Sequence, residues 1–200
     1  MARIKSALEL ALERTEGVKS DKETLMADNL RKEGKKIASE LLQPHQEEVK
    51  QDLQKQLKKY PPKESAWVRE GVSQVLLANL VLPLDENYLP RFEQVTEGIL
   101  ALVKDKKNAG YILKQIGQFF SQYISNQKQM VQSLEKQYAP KLKQKEAEIS
   151  RQLGTEVHLS PQSDPEFVSI LKNQLSSLQS RYQEALDEVK KELSNLLSVL

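Results

Sequence analysis

The sequence predicts an all-α protein, and three observations predict it. Apolar residues recur at spacings of three and four through nearly every patterned stretch, which is the helical period. No stretch alternates apolar and polar residues in the manner of a strand, and no Asn-Gly hairpin signal occurs. Charged residues make up 29% of the chain and aromatics only 6%, a balance that suits long helices burying one narrow stripe each. The expected architecture is a small helical-bundle core over about 63–125, with an extended antiparallel coiled-coil-like arm formed by the N- and C-terminal helices. The corresponding division is 1–60 for N-terminal helices packing on the arm, 63–125 for a compact three-helix core, and 126–200 for a helical hairpin.

The first helix is expected from about Ala2 to Glu16, with Ile4, Leu8 and Ala11 on one face and Gly17 as its stop. Ser20 and Glu23 have the spacing of a capping box and open a second helix, whose stripe is Met26, Leu30, Gly34, Ile37 and Leu41. Pro44 interrupts and suits the first turn of a renewed helix, which Glu47 and Glu48 favour through the helix dipole. Val49, Leu53, Leu57 and Tyr60 carry that stripe to Pro61 and Pro62, the clearest break in the chain.

The segment from Ser65 to Leu82 reads as a helix with a wide apolar face: Trp67, Val68, Val72, Val75, Leu76 and Leu80. It contains the most apolar stretch, residues 71–84. A spanning helix needs about 20 apolar residues, and this run is shorter and broken by Asn79, so it is expected as core and no transmembrane segment is expected. Residues 83–90 are a turn in which Asn87 is expected to cap the next helix, with stripe Phe92, Val95, Ile99 and Leu102. Lys104, Lys106 and Lys107 suit that helix's C-terminal end. Asn108, Ala109 and Gly110 read as another turn. A third core helix opens with Tyr111, Ile112, Ile116, Phe119, Phe120, Tyr123 and Ile124, and a thinner stripe continues through Val131, Leu134, Tyr138, Leu142, Ile149 and Leu153. Pro140 is expected to kink it, and Gly154 to end it. Asp164 is the expected cap and Pro165 the first residue of a last helix. Its stripe, Leu171, Leu175, Leu178, Tyr182 and Ala185, alternates spacings of four and three, then shifts phase to Val189, Leu193, Leu196 and Leu200. The short loop before it predicts an antiparallel hairpin with the preceding helix.

Composition limits the chemistry. Thirty basic and 28 acidic residues leave a net charge of +2 with the signs interspersed, which argues against a dedicated nucleic-acid surface. The opening stretch has no uninterrupted apolar run, because Glu9 and Glu13 break it, so no signal peptide is expected and the default location is cytoplasmic. With no cysteine, disulfides, thiolate catalysis and the common zinc frameworks are excluded. His45 and His158 are preceded three residues earlier by Leu42 and Thr155, so the Glu-x-x-His pattern of di-iron bundles is missing, as is any phosphate loop or nucleophile elbow. No catalytic residue, metal or cofactor is expected. Gly110 and Gly117 are read as sites of close helix packing.

Two patches are candidates for binding. Lys55, Lys58, Lys59 and Lys63 surround Tyr60 and could meet phosphate or an anionic membrane surface, although a solvated helix end produces the same run. Trp67, Tyr88, Phe119 and Tyr123 could line an aromatic pocket in the central bundle, or simply pack its centre. The expected function is that of a non-enzymatic helical interaction or scaffold protein. Its apolar seam, Leu171, Leu175, Leu178, Tyr182, Val189, Leu193 and Leu196, would hold a protein partner or a second copy. The rival expectation is a small-molecule-binding helical module or enzyme using the aromatic pocket.

Overall fold

A computed structural model of the chain describes residues 7–43 and 49–198, with side chains from residue 22 to 43 and from 51 onward. The described residues form six helices and no strand: α1 (Ala7–Leu41), α2 (Val49–Leu57), α3 (Pro62–Ala78), α4 (Leu89–Leu102), α5 (Lys106–Leu153) and α6 (Pro165–Ser198). The fold is all-α. The expected helix start at Ala2, Ile4, the side chains of Leu8, Ala11, Ser20 and Val49, the Pro44–Glu48 segment and Leu200 lie outside what is described. By backbone contacts the chain divides into two units. One comprises 1–80, 91–110 and 192–200, and the other comprises 81–90 and 111–191.

In the first unit, α1 packs mainly on α3. The expected stop at Gly17 does not occur, since α1 runs through it and through Ser20 without interruption. An interior glycine costs a helix about 1 kcal/mol, and the two in α1, Gly17 and Gly34, are a small penalty among strong helix formers over 35 residues. The buried face of α1 is the expected one in part: Gly34, Ile37 and Leu41 belong to the expected stripe, Ala27 and Ala38 join them, and Met26, 43% exposed, falls outside it. Small residues dominate that face because the two backbones nearly touch. A Cβ on Gly34 would lie 2.1 Å from the Val68 carbonyl oxygen, and one on Gly71 would lie 2.1 Å from that of Arg31. Beside the crossing, Arg31 Nε donates to Glu70 at 2.8 Å and Nη1 to Asp28 at 2.9 Å.

Pro61 and Pro62 mark the expected break after α2, but α3 begins at Pro62 itself, three residues before the expected start at Ser65, because a proline suits the first helical position. The helix stops at Ala78, four residues short of its expected end. The Asn79 side chain explains this. Its amide donates to the Val75 carbonyl at 2.8 Å, and its oxygen accepts from Arg91 Nε and Nη2 at 3.0 and 2.7 Å. The apolar run 71–84 is therefore split. Val72, Leu76 and Leu80 are buried, while Val81 is 46% and Leu84 is 91% exposed. The α4 stripe Phe92, Val95, Ile99 and Leu102 is buried as read from its spacing, and Gly98 meets the Leu76 side chain.

Three local expectations are corrected. Asp85, not Asn87, is the capping residue before α4. Its carboxylate accepts the Asn87 amide at 2.8 Å and starts a short 3-10 turn. Residues 108–110 are not a turn but lie inside α5, because Asp105 accepts the Asn108 amide at 3.0 Å and begins the helix earlier. Lys106 and Lys107 consequently stand in the first turn of α5 and not at the end of α4. Gly110 is not a close approach, since its nearest neighbour, Leu100, would be 3.9 Å from an added Cβ.

In the second unit, α5 and α6 run antiparallel: Tyr138 stacks edge-on to Phe167 with centroids 5.3 Å apart, and Tyr123 meets Tyr182 at 4.8 Å. The helix α5 continues through Pro140, which is exposed. Gly154 ends it with φ +67, its N–H donating to the Ser150 carbonyl at 2.9 Å.

Candidate interaction surface

Three clusters line the α5–α6 hairpin. At its closed end, Asp164 accepts the Glu166 amide at 3.0 Å and so caps α6, with Pro165 between them. The same carboxylate is buried and receives the Tyr138 hydroxyl at 3.0 Å and Lys145 Nζ at 2.6 Å. Lys145 also reaches Glu166 at 3.1 Å, and Lys141 pairs with Glu166. Charge-assisted bonds of this kind are the strong ones. The hydrogen bond from Lys145 holds the Asp164 carboxyl below its ordinary value, and Lys141 does the same for Glu166. Lys145 is raised in return, chiefly by Asp164, and burial raises the Tyr138 hydroxyl. Beneath this network lies a small apolar cluster of Leu134, Tyr138, Leu142 and Phe167, against which Leu171 packs. The network ties α5 to α6 across the closed end of the hairpin.

Midway along the hairpin the aromatics meet. Phe119 and Tyr182 have centroids 4.7 Å apart, Phe119 and Phe120 6.2 Å, and Tyr88 stands edge-on to Phe120 at 5.7 Å. Asn126 donates to the Tyr182 hydroxyl at 2.6 Å, and burial pushes the Tyr123 hydroxyl up. Of the four proposed pocket residues, Tyr88, Phe119 and Tyr123 thus join one ring cluster in the second unit. Trp67 belongs to the first unit, half-buried beneath Lys63 at 5.8 Å. Tyr182 was read only as part of the seam, and its place among the rings needed the hairpin's register.

The third cluster is open. Leu84, Asp85, Ile124, Gln127, Lys128, Val131, Gln132 and Leu175 line a groove of about 400 Å³. Lys128 pairs with Glu86 at 2.7 Å beside it. The seam residues Leu171, Leu175, Leu178, Tyr182, Val189 and Leu196 are half-buried, and Leu193 is fully buried. Phe167, Leu186 and Leu197 on the same helix are covered more completely, although none had been placed in the seam. Leu186 sits one position beyond Ala185 of the expected stripe and Leu197 one beyond the seam residue Leu196, so the buried stripe drifts around α6.

In the first unit, the lysine run around Tyr60 is spread out. Lys55 pairs with Asp52 at 3.3 Å, Lys63 with Glu23 at 2.7 Å, and Lys59 donates to Gln56 at 2.7 Å. Lys58 and Tyr60 instead line a groove with Arg69 and Lys104. His158 lies beside Glu156 at 3.8 Å, both exposed. Among the described residues no helix is long and apolar enough to cross a membrane, and no group of three or more His, Asp or Glu is placed to hold a metal ion.

A family model described as a family of unknown function (DUF6657) matches residues 54–195, which takes in α3, α4, α5 and nearly all of α6. No curated protein and no solved structure matches the chain. The chain belongs to that family of unknown function.

Proposed function

We propose that this protein is a non-catalytic helical interaction module whose working surface is the apolar strip of α6. The observation that carries this reading is the groove at Leu175. A residue of the expected seam forms its wall together with Ile124 and Val131 of α5, and Leu84 stands at its edge 91% exposed. An isolated exposed leucine is ordinary, but one beside an open apolar groove adds to a contiguous surface of the kind that binds an apolar helix. Asp85 and Lys128 in the lining supply the polar rim that such a surface uses for register. The occupant is a helix of a protein partner or of a second copy, and its apolar side chains would cover Leu84 and Leu175.

The test places a photo-crosslinking residue at Leu84 in cells of the native host. The expected result is one dominant protein adduct, either with another chain or with a second copy. Labelling that is diffuse, or confined to solvent and buffer, would contradict the reading.

A further inference from the structure

We propose that the groove at the junction of α2, α3 and α4 in the first unit is a binding site for a small anionic amphiphile, an apolar body carrying a phosphate or carboxylate. The groove has a volume of about 700 Å³, inside the range of ligand sites. Its lining divides into two kinds of surface. Leu57, Tyr60, Pro62, Ala66 and Ala101 make an apolar wall, while Lys58, Arg69 and Lys104 bring three cations and, among the described residues, no carboxylate lines it. That imbalance stands out in a chain with 30 basic and 28 acidic residues.

Helix geometry accounts for part of it. Lys58 follows the end of α2 and Lys104 follows the end of α4, where the helix dipole favours a cation. Arg69 has no such reason. It sits in the middle of α3, half-buried, and has no carboxylate partner among the described residues; its guanidinium makes only a long 3.4 Å contact with the Ser65 hydroxyl. A partly desolvated guanidinium without a counter-charge is a cost that an anionic ligand removes, and its fork geometry matches phosphate and carboxylate oxygens. Tyr60 is already committed: burial raises its hydroxyl, which is also bonded to Glu33. The apolar wall would take the ligand's body, and Arg69 with Lys58 its head. Inorganic phosphate alone would leave that wall uncovered.

Isothermal titration with octyl phosphate tests this, with 1-octanol and inorganic phosphate as the two halves of the ligand. The expected result is one octyl phosphate per chain, with each half at least about tenfold weaker. Arg69→Gln should lose about tenfold in affinity, Arg69→Lys should keep part of it, and the exposed Lys143→Gln in the second unit should bind as the parent does. Lys58→Gln, at an exposed position, supplies a second probe should Arg69→Gln unfold, and is expected to weaken binding several-fold. Flotation with phosphatidylcholine vesicles, with and without phosphatidic acid, identifies the source. Arg69-dependent flotation assigns the anion to a lipid headgroup, and titration binding without flotation assigns it to a free amphiphile. Octyl phosphate binding no tighter than octanol, or Arg69→Gln and Lys58→Gln both binding as the parent does, would overturn the proposal.

Discussion

Gly34 and Gly71 show how single residues set the first unit's geometry. Each faces the other helix's backbone so closely that a methyl group has no room. Gly71→Ala should therefore destabilise by about 1–3 kcal/mol or more, read as a lowered melting temperature. Gly110→Ala is the contrast: with only ordinary contact at 3.9 Å, it should be neutral or gain up to about 1 kcal/mol. Asp164 makes a second residue-scale prediction. Its carboxyl, like that of Glu166, titrates below its ordinary value in the fold, so the stability it contributes is present above that value and is lost as pH falls through the lowered one. Lys145 is raised, so it stays charged through this range and its contribution fades only at strongly alkaline pH. Asp164→Asn should lower the melting temperature at neutral pH and flatten its decline below about pH 4. Gly154, Asp164 and Pro165 were legible because a positive-φ stop and an N-cap are local chemistry. Lys145 and Tyr138 were not, since they reach Asp164 only after the hairpin closes.

At the scale of helices, period revealed more than punctuation did. The stripes of α3 and α4 were read correctly in large part because bulky residues occupy them. The stripe of α1 held at Gly34, Ile37 and Leu41 but not at Met26, because the covered face also takes the small residues Ala27 and Ala38, which an apolar spacing built on bulky side chains passes over. Helix ends failed where a side chain decided them: Asn79 stopped α3 early, and Asp85 and Asp105 started turns ahead of the expected residues. The C-terminal helix carries a direct test of its stripe. Leu178 is half-buried, and Gln179, one step of about 100° around the helix, is exposed. Leu178→Asp should lower stability by about 1–3 kcal/mol, whereas Gln179→Asp should change it by no more than about 0.5 kcal/mol. With the hairpin itself as the covering surface, calorimetry should show the loss while light scattering shows an unchanged mass. A fall in mass would instead place Leu178 between two copies.

Over the whole molecule, composition indicated long, solvated helices and excluded thiol chemistry, and those inferences needed no coordinates. Which apolar surface remains open could not be read. The run 71–84 looked uniformly like core, yet its last residue projects into solvent, and only the placement of Leu84 beside Ile124, Val131 and Leu175 makes it part of a groove. The basic run around Tyr60 likewise gave no hint of Arg69 or Lys104, which come from other helices. The central claim is that the groove at Leu175 holds a protein. Quantitative mass spectrometry of what co-purifies from the native host with the parent and with Leu84→Asp tests it most directly. At 91% exposure, Leu84 contributes little to folding, so the variant should melt as the parent does. Burying a leucine on a partner contributes about 1.5–3 kcal/mol, so one near-stoichiometric protein should be recovered with the parent and reduced about tenfold or more with the variant. An identical inventory from both, together with an identical oligomeric mass by light scattering, would contradict the account.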